Sequence, residues 1–166
     1  MAPELATSEL ILLSSLFFYS GLVVSFFSGV YPTAVGNSRN LSDSSAMIGL
    51  VGICIGSGGL FGGTFLMFGG KIVSKIKRLD ILIVSLTIQF FVYGLTLANI
   101  PVVANIEGTE NLPLLLPETN TAVVLLTGFL LGFSDAGIKY VIYTTISEIW
   151  RDDPAPVYAL LNVRGC

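Results

Sequence analysis

Histidine is absent from this 166-residue chain, and cysteine occurs only as Cys54 and Cys166. Cys54 lies inside an apolar block and Cys166 is the last position, so no metal-ligand spacing, disulfide framework or cysteine–histidine pair can be built from them. A prenylation cysteine stands fourth from the end, so Cys166 is not expected to take that role. Charge is scarce too. Lysine, arginine, aspartate and glutamate make up 11% of the residues, against about 25% in soluble domains. The few basic residues are too clustered to form a nucleic-acid surface. No nucleophile–base pair, metal cluster or cofactor loop is visible, so the chain is expected to be neither an enzyme nor a holder of a cofactor.

What is present is apolar. Hydrophobic residues make up 53% of the chain, with a mean hydropathy of +0.83, and they gather into blocks of membrane-spanning length. At 1.5 Å per helical residue, about 20 residues cross a hydrocarbon core about 30 Å thick. The blocks predict spans over 10–31, 47–70, 79–100 and 122–149, and hence an all-α membrane protein with about four transmembrane helices. Pro32 and Gly36 mark where the first span is expected to loosen or stop. Glu4 and Glu9 ahead of the first block are unlike the basic start of a secretory signal, so that block is read as a span that stays in the membrane. Asp153 before Pro154 predicts the start of a further helix over 154–166.

Loop charge sets the expected orientation, because lysine and arginine are retained on the cytoplasmic side. Lys71, Lys75, Lys77 and Arg78 are four of the eight basic residues, and they place the second connection inside. Both termini then fall inside, while the loops over 36–46 and 101–121 fall outside. The second outer loop is acidic and free of lysine and arginine, and the first carries a glycosylation sequon at Asn40. Tyr31 and Trp150, at span ends, are expected to anchor in the headgroup region.

The second span is dense in glycine. A nucleotide-binding loop is excluded, because position 65 is Phe65 where the spacing before Lys71 needs glycine and Ile72 replaces serine or threonine. The spacings of four between Gly52 and Gly56, Gly58 and Gly62, and Gly59 and Gly63 instead strip a helix face of side chains and predict close helix packing. Gly21, Ser25 and Gly29 make a similar face on the first span. Asp135 and Lys139 stand near the middle of the fourth span, where a charge costs about 2.5 to 3.5 kcal/mol or more. Their spacing of four allows them to pair on one helix face, extended by Gly132, Tyr143 and Ser147. The pair is either a structural ion pair or the lining of a cavity that binds a solute or moves a proton. Ser85, Gln89, Tyr93 and Thr96 form a milder polar stripe on the third span, suited to interhelical hydrogen bonds.

Four stretches, in order, carry a resemblance: FFYSGLVVSFFSGVYPTAVG over 17–36, GLVGICIGSGGLFGG over 49–63, GFLLGFSDAG over 128–137 and DDPAPVYAL over 152–160. Together they resemble the C-terminal half of the UNC-type, ion-channel regulatory branch of the major facilitator superfamily, nearest to its orphan members named for a major-facilitator domain. The resemblance implies spans seven to ten of a twelve-span fold made of two six-helix halves, so that this chain is part of one half. It also implies intramembrane carboxylates where this chain has Val23 and Gly59, which weighs against proton coupling. The partners implied are membrane lipids, the remaining transmembrane helices of a full-length chain, and a channel or receptor membrane protein. The functions implied are regulation or trafficking of such a protein, or solute transport in the orphan members. Transport sites of this superfamily lie between two halves, so a four-span chain is expected to act as a regulator, as a piece of a carrier, or as a truncated gene product without independent activity.

Overall fold

In a bilayer the backbone has no solvent partner, so each apolar run must satisfy its own N–H and C=O groups, and a helix does this within one segment. The computed structural model describes residues 3–38, 44–69, 76–106, 108 and 119–149. These residues are almost entirely helical and include no strand. They form α1 (Pro3–Ser25), a π-helical turn (Phe26–Val30), α2 (Tyr31–Asn37), α3 (Ser44–Phe68), α4 (Arg78–Asn99), a 3-10 turn (Val102–Asn105) and α5 (Thr121–Ile149). Four stretches are long and apolar enough to cross a membrane: Leu13–Asn37, Ala46–Phe68, Arg78–Asn99 and Thr121–Glu148. The all-α fold with four spans agrees with the sequence reading. The helix expected over 154–166 lies outside the described residues.

The first span runs past its expected bound at Tyr31: the helix loosens just ahead of Pro32, continues through it and ends at Asn37, beside Gly36. Proline lacks an N–H and its ring crowds the carbonyl four residues back in a regular helix. Here the turn just ahead of it is widened: the Tyr31 N–H donates to the Phe26 carbonyl, five residues back, and Pro32 falls in the first turn of α2. Hydroxyls supply further local bonds, with Ser28 Oγ donating to the Val24 carbonyl at 2.6 Å and Thr33 Oγ1 to the Gly29 carbonyl at 2.7 Å. The π turn also brings Phe26 edge-on to Tyr93 of α4, with ring centroids 4.9 Å apart.

Helix α5 is the centre of the bundle. Half of its most apolar window is buried, against 17% to 22% in the other three spans. Helices α3, α4 and α1 all pack on it. Its first half joins a core with Tyr31, Val35, Val51 and Val92 through Val124 and Leu131. Its second half joins Leu13, Leu16, Leu82 and Leu86 through Ile138, Ile142 and Ile146. Between these two apolar clusters lies a buried polar layer, Gln89 of α4 with Ser134 and Asp135 of α5.

The two ends of the bundle are tied by different bonds. At one end Arg78, opening α4, pairs with Glu148, near the close of α5. At the other, Asn37 Nδ2 donates to the Ala104 carbonyl at 2.9 Å. There the Asn99 side chain also donates to the Asn120 carbonyl at 3.1 Å and accepts from its N–H at 2.9 Å. Consecutive spans therefore run in alternate directions, and α3 and α5 run parallel.

Candidate functional site

Asp135 is the middle residue of α5, so its charge sits as far from either helix end as the span permits. One turn on, Lys139 Nζ lies 2.6 Å from Asp135 Oδ2. The two side chains differ in surroundings: that of Asp135 is 8% exposed and that of Lys139 is 41% exposed. Asp135 shares its face of the helix with Leu131 and Ile138, both fully buried. Its second oxygen, Oδ1, is buried and has no hydrogen-bond partner among the described residues. Such an acceptor costs free energy until a donor meets it. Of the residues expected to extend the face, Gly132 is buried, whereas Tyr143 and Ser147 are exposed.

Beside the pair, Ser134 Oγ donates to Gln89 Oε1 at 2.5 Å, and Gln89 Nε2 donates to the Tyr93 hydroxyl at 3.1 Å. Within the polar stripe of α4 this is the interhelical bond; Ser85 and Thr96 turn their hydroxyls back to the carbonyls of Ile81 and Val92 on their own helix. Ser85 instead matters by its size, since a Cβ added to Gly137 would collide with its hydroxyl.

The glycine face of α3 divides in two. Gly58 and Gly62 are buried against α5. A Cβ at Gly58 would overlap the Phe129 carbonyl, and one at Gly62 would stand 3.0 Å from both the Phe133 carbonyl and the Ala136 Cβ. A Cβ at Gly59 would lie in ordinary contact, 3.7 Å from the Gly132 carbonyl. Around Gly52, Gly56 and Gly63 a Cβ would meet nothing within 4 Å among the described residues, and all three are exposed. The matching glycines of α5 were not singled out by spacing on α3 alone. A Cβ at Gly132 would overlap the Ile55 carbonyl, and one at Gly128 would lie 3.5 Å from the Cys54 Cβ. The signal was available, because Gly128 and Gly132 repeat at four like Gly58 and Gly62.

Tyr31 does not take the expected place in the headgroup region. It is 1% exposed, not an interfacial anchor, and its hydroxyl donates to the Val124 carbonyl of α5 at 2.7 Å. The continued helix carries it inward from the span end and gives its polar tip a protein acceptor. Of the basic cluster, Lys77 is exposed and Arg78 is paired with Glu148. Lys71, Lys75, Asn40 and Trp150 lie outside the described residues.

Three membrane-length spans packed on a fourth, α5, with a buried polar layer at mid-height, define a multi-pass integral membrane protein. Residues 2–164 match the family described as ion channel regulatory protein UNC-93, and the chain belongs to that family. It is 30% identical over 160 residues to the UNC93-like protein MFSD11 of Xenopus tropicalis and to that of Xenopus laevis. The match covers 94% of this chain and 35% of each relative, so the chain spans about a third of the length of the curated relatives it matches. No solved structure matches it.

Proposed function

We propose that this chain is a non-enzymatic membrane component that works through helix contacts with other membrane proteins, regulating or escorting a channel or receptor. The family's description as ion channel regulatory protein supports a channel as the partner class. The observation that carries the reading is the unequal use of helix surface: half of the most apolar window of α5 is buried by its neighbours, while α3 keeps an outward face carrying Gly52, Gly56, Leu60, Gly63 and Met67. Small residues on such a face admit another helix closely. In this reading Asp135 and Lys139 hold the bundle together, each offsetting the other's cost. The connection with Lys71, Lys75, Lys77 and Arg78 faces the cytoplasm, and Asn40 lies on the opposite side.

A second reading, a piece of a solute carrier, draws on the share of the relatives' length that the chain covers. The free Asp135 Oδ1 would then receive a donor from a solute. The two readings separate when channel current and solute uptake are both measured in cells expressing the chain within its full-length context. A change in current together with co-purification of the channel supports regulation. Saturable uptake that disappears in Asp135→Asn, with current unchanged, overturns it in favour of the carrier.

A further inference from the structure

The first span is held in two unlike ways on either side of its π turn. After the turn, directed bonds pin α2. Tyr31 donates to the Val124 carbonyl and Asn37 to the Ala104 carbonyl, and Tyr31, Ala34 and Val35 are buried. Ahead of the turn, α1 rests on α5 by apolar contact, with Leu13, Leu16 and Phe17 in one cluster with Ile138, Ile142 and Ile146. The Ser15 and Ser25 hydroxyls turn back to carbonyls of their own helix. Tyr19 Oη is buried and has no hydrogen-bond partner among the described residues.

The turn between these halves has room to bend. None of its residues, Phe26–Val30, is buried, and a Cβ at Gly29 would meet nothing within 4 Å. Pro32, just beyond, denies the helix a regular bond and crowds the turn before it. Widened turns and prolines are where helices kink, and a hinge needs only a few residues at the end of an element.

What α1 covers is the face of α5 that carries Asp135. Asp135 precedes Ile138 by three residues and Ile142 by seven, which sets all three on one side of the helix. The antiparallel register of the two spans is fixed by Tyr31 on Val124 and by Leu13 among the three isoleucines. Between those points Asp135 falls at the level of Ser20 to Val23, and Ser20 and Val23 are both buried. The carboxylate thus sits under α1 with one oxygen, Oδ1, that no donor meets. A dry, unmet acceptor favours any motion that brings it water.

We infer that α1 is a hinged flap over Asp135: it pivots at Phe26–Val30 while α2 stays fixed, and its opening admits water to the Asp135 carboxylate. The inference goes beyond both functional readings and needs neither, since it concerns how the ion pair is reached and not what the pair serves.

The test is the distance between spin labels in the purified 166-residue chain carrying Cys54→Ser and Cys166→Ser. Ile11→Cys with Leu79→Cys reports on the flap, and Thr33→Cys with Leu97→Cys on the fixed end; all four positions are exposed. Residues 11 to 26 span about 22 Å at helical rise, so a bend of about 20° moves Ile11 by up to about 8 Å. The flap pair should show two populations and the fixed pair one. Pro32→Ala, which restores an N–H beside the turn, should shrink the second population. A single population in both pairs, or a second one that Pro32→Ala leaves unchanged, would overturn the hinge. Water entry is read separately. Ser20→Cys in the same background should react with a water-soluble thiosulfonate, and Val35→Cys, fully buried in α2, should not; equal reactivity at the two would overturn the flap. Should the labelled variants fail to fold, hydrogen exchange of the unaltered chain decides. Faster exchange over 16–25 than over 83–92 of α4 supports the flap, and equal exchange contradicts it.

Discussion

Against α3 the central helix α5 presents Gly128 and Gly132, and the two backbones meet so closely that a single added carbon at Gly58 or Gly132 would overlap a carbonyl. Against α4 the same helix presents Ser134 to Gln89 and Glu148 to Arg78, and side chains reach across. The first seam gains its energy from van der Waals contact, the second from directed bonds. The difference teaches where each seam is brittle. Backbone contact tolerates no added atoms, whereas a side-chain bond can be lost singly.

The largest expected effect therefore falls on the glycine seam. Gly132→Leu or Gly58→Leu should lower the stability of the folded bundle by about 3 kcal/mol, the upper end of the usual cost of overpacking, since the backbone cannot move away as a flexible side chain can. Gly63→Leu, with open space around it, should stay within about 0.5 kcal/mol. Thermal unfolding in detergent measures both, and equal losses at Gly132 and Gly63 would erase the contrast between the two faces.

Next in size is the ion pair. Breaking a buried pair costs about 3 to 5 kcal/mol, whereas removing both partners can be near neutral. Lys139 is 41% exposed, which places the expected single-variant loss at or below the low end of that range. Asp135→Asn or Lys139→Met alone should lower folded yield, and the double variant should recover part of it. A double-mutant cycle reads the coupling; strictly additive losses would show that the two charges do not support each other.

The directed bonds of the α4 seam come lower. Gln89→Leu removes the bonds to Ser134 and Tyr93 and should cost about 0.6 kcal/mol, at most about 1.7. A loss as large as that of Gly132→Leu would show that the polar layer, not the glycine contact, holds the bundle. Smallest is Arg78→Ala at the exposed end, about 0 to 1 kcal/mol and less in high salt. A salt-independent loss would place that pair in a drier setting than its exposure implies.

What was legible from sequence follows from how local each feature is. Run length alone marks the four spans, and spacing of four alone places Asp135 beside Lys139. The passage through Pro32 was not legible, because the compensating π turn depends on where Phe26 and Tyr31 pack. Tyr31 read as an anchor for the same reason: its acceptor, Val124, is 93 residues away. Glycine spacing showed that α3 has a face open to close approach, but only the fold divides it into Gly58, Gly59 and Gly62 facing α5 and Gly52, Gly56 and Gly63 facing outward. The Arg78–Glu148 pair, 70 residues apart, left no local signal.

The central claim, that α3 and α5 lie parallel with glycines in contact, has a direct test in the one native thiol at that seam. A Cβ at Gly128 would lie 3.5 Å from the Cys54 Cβ, within the range that a disulfide needs. In a Cys166→Ser background, Gly128→Cys treated with a membrane-permeant copper oxidant should form a disulfide with Cys54, identified in the linked peptides by mass spectrometry. Gly94→Cys, whose surroundings are empty within 4 Å, should not. Efficient linkage at Gly94 with none at Gly128 would contradict the packing of α3 on α5.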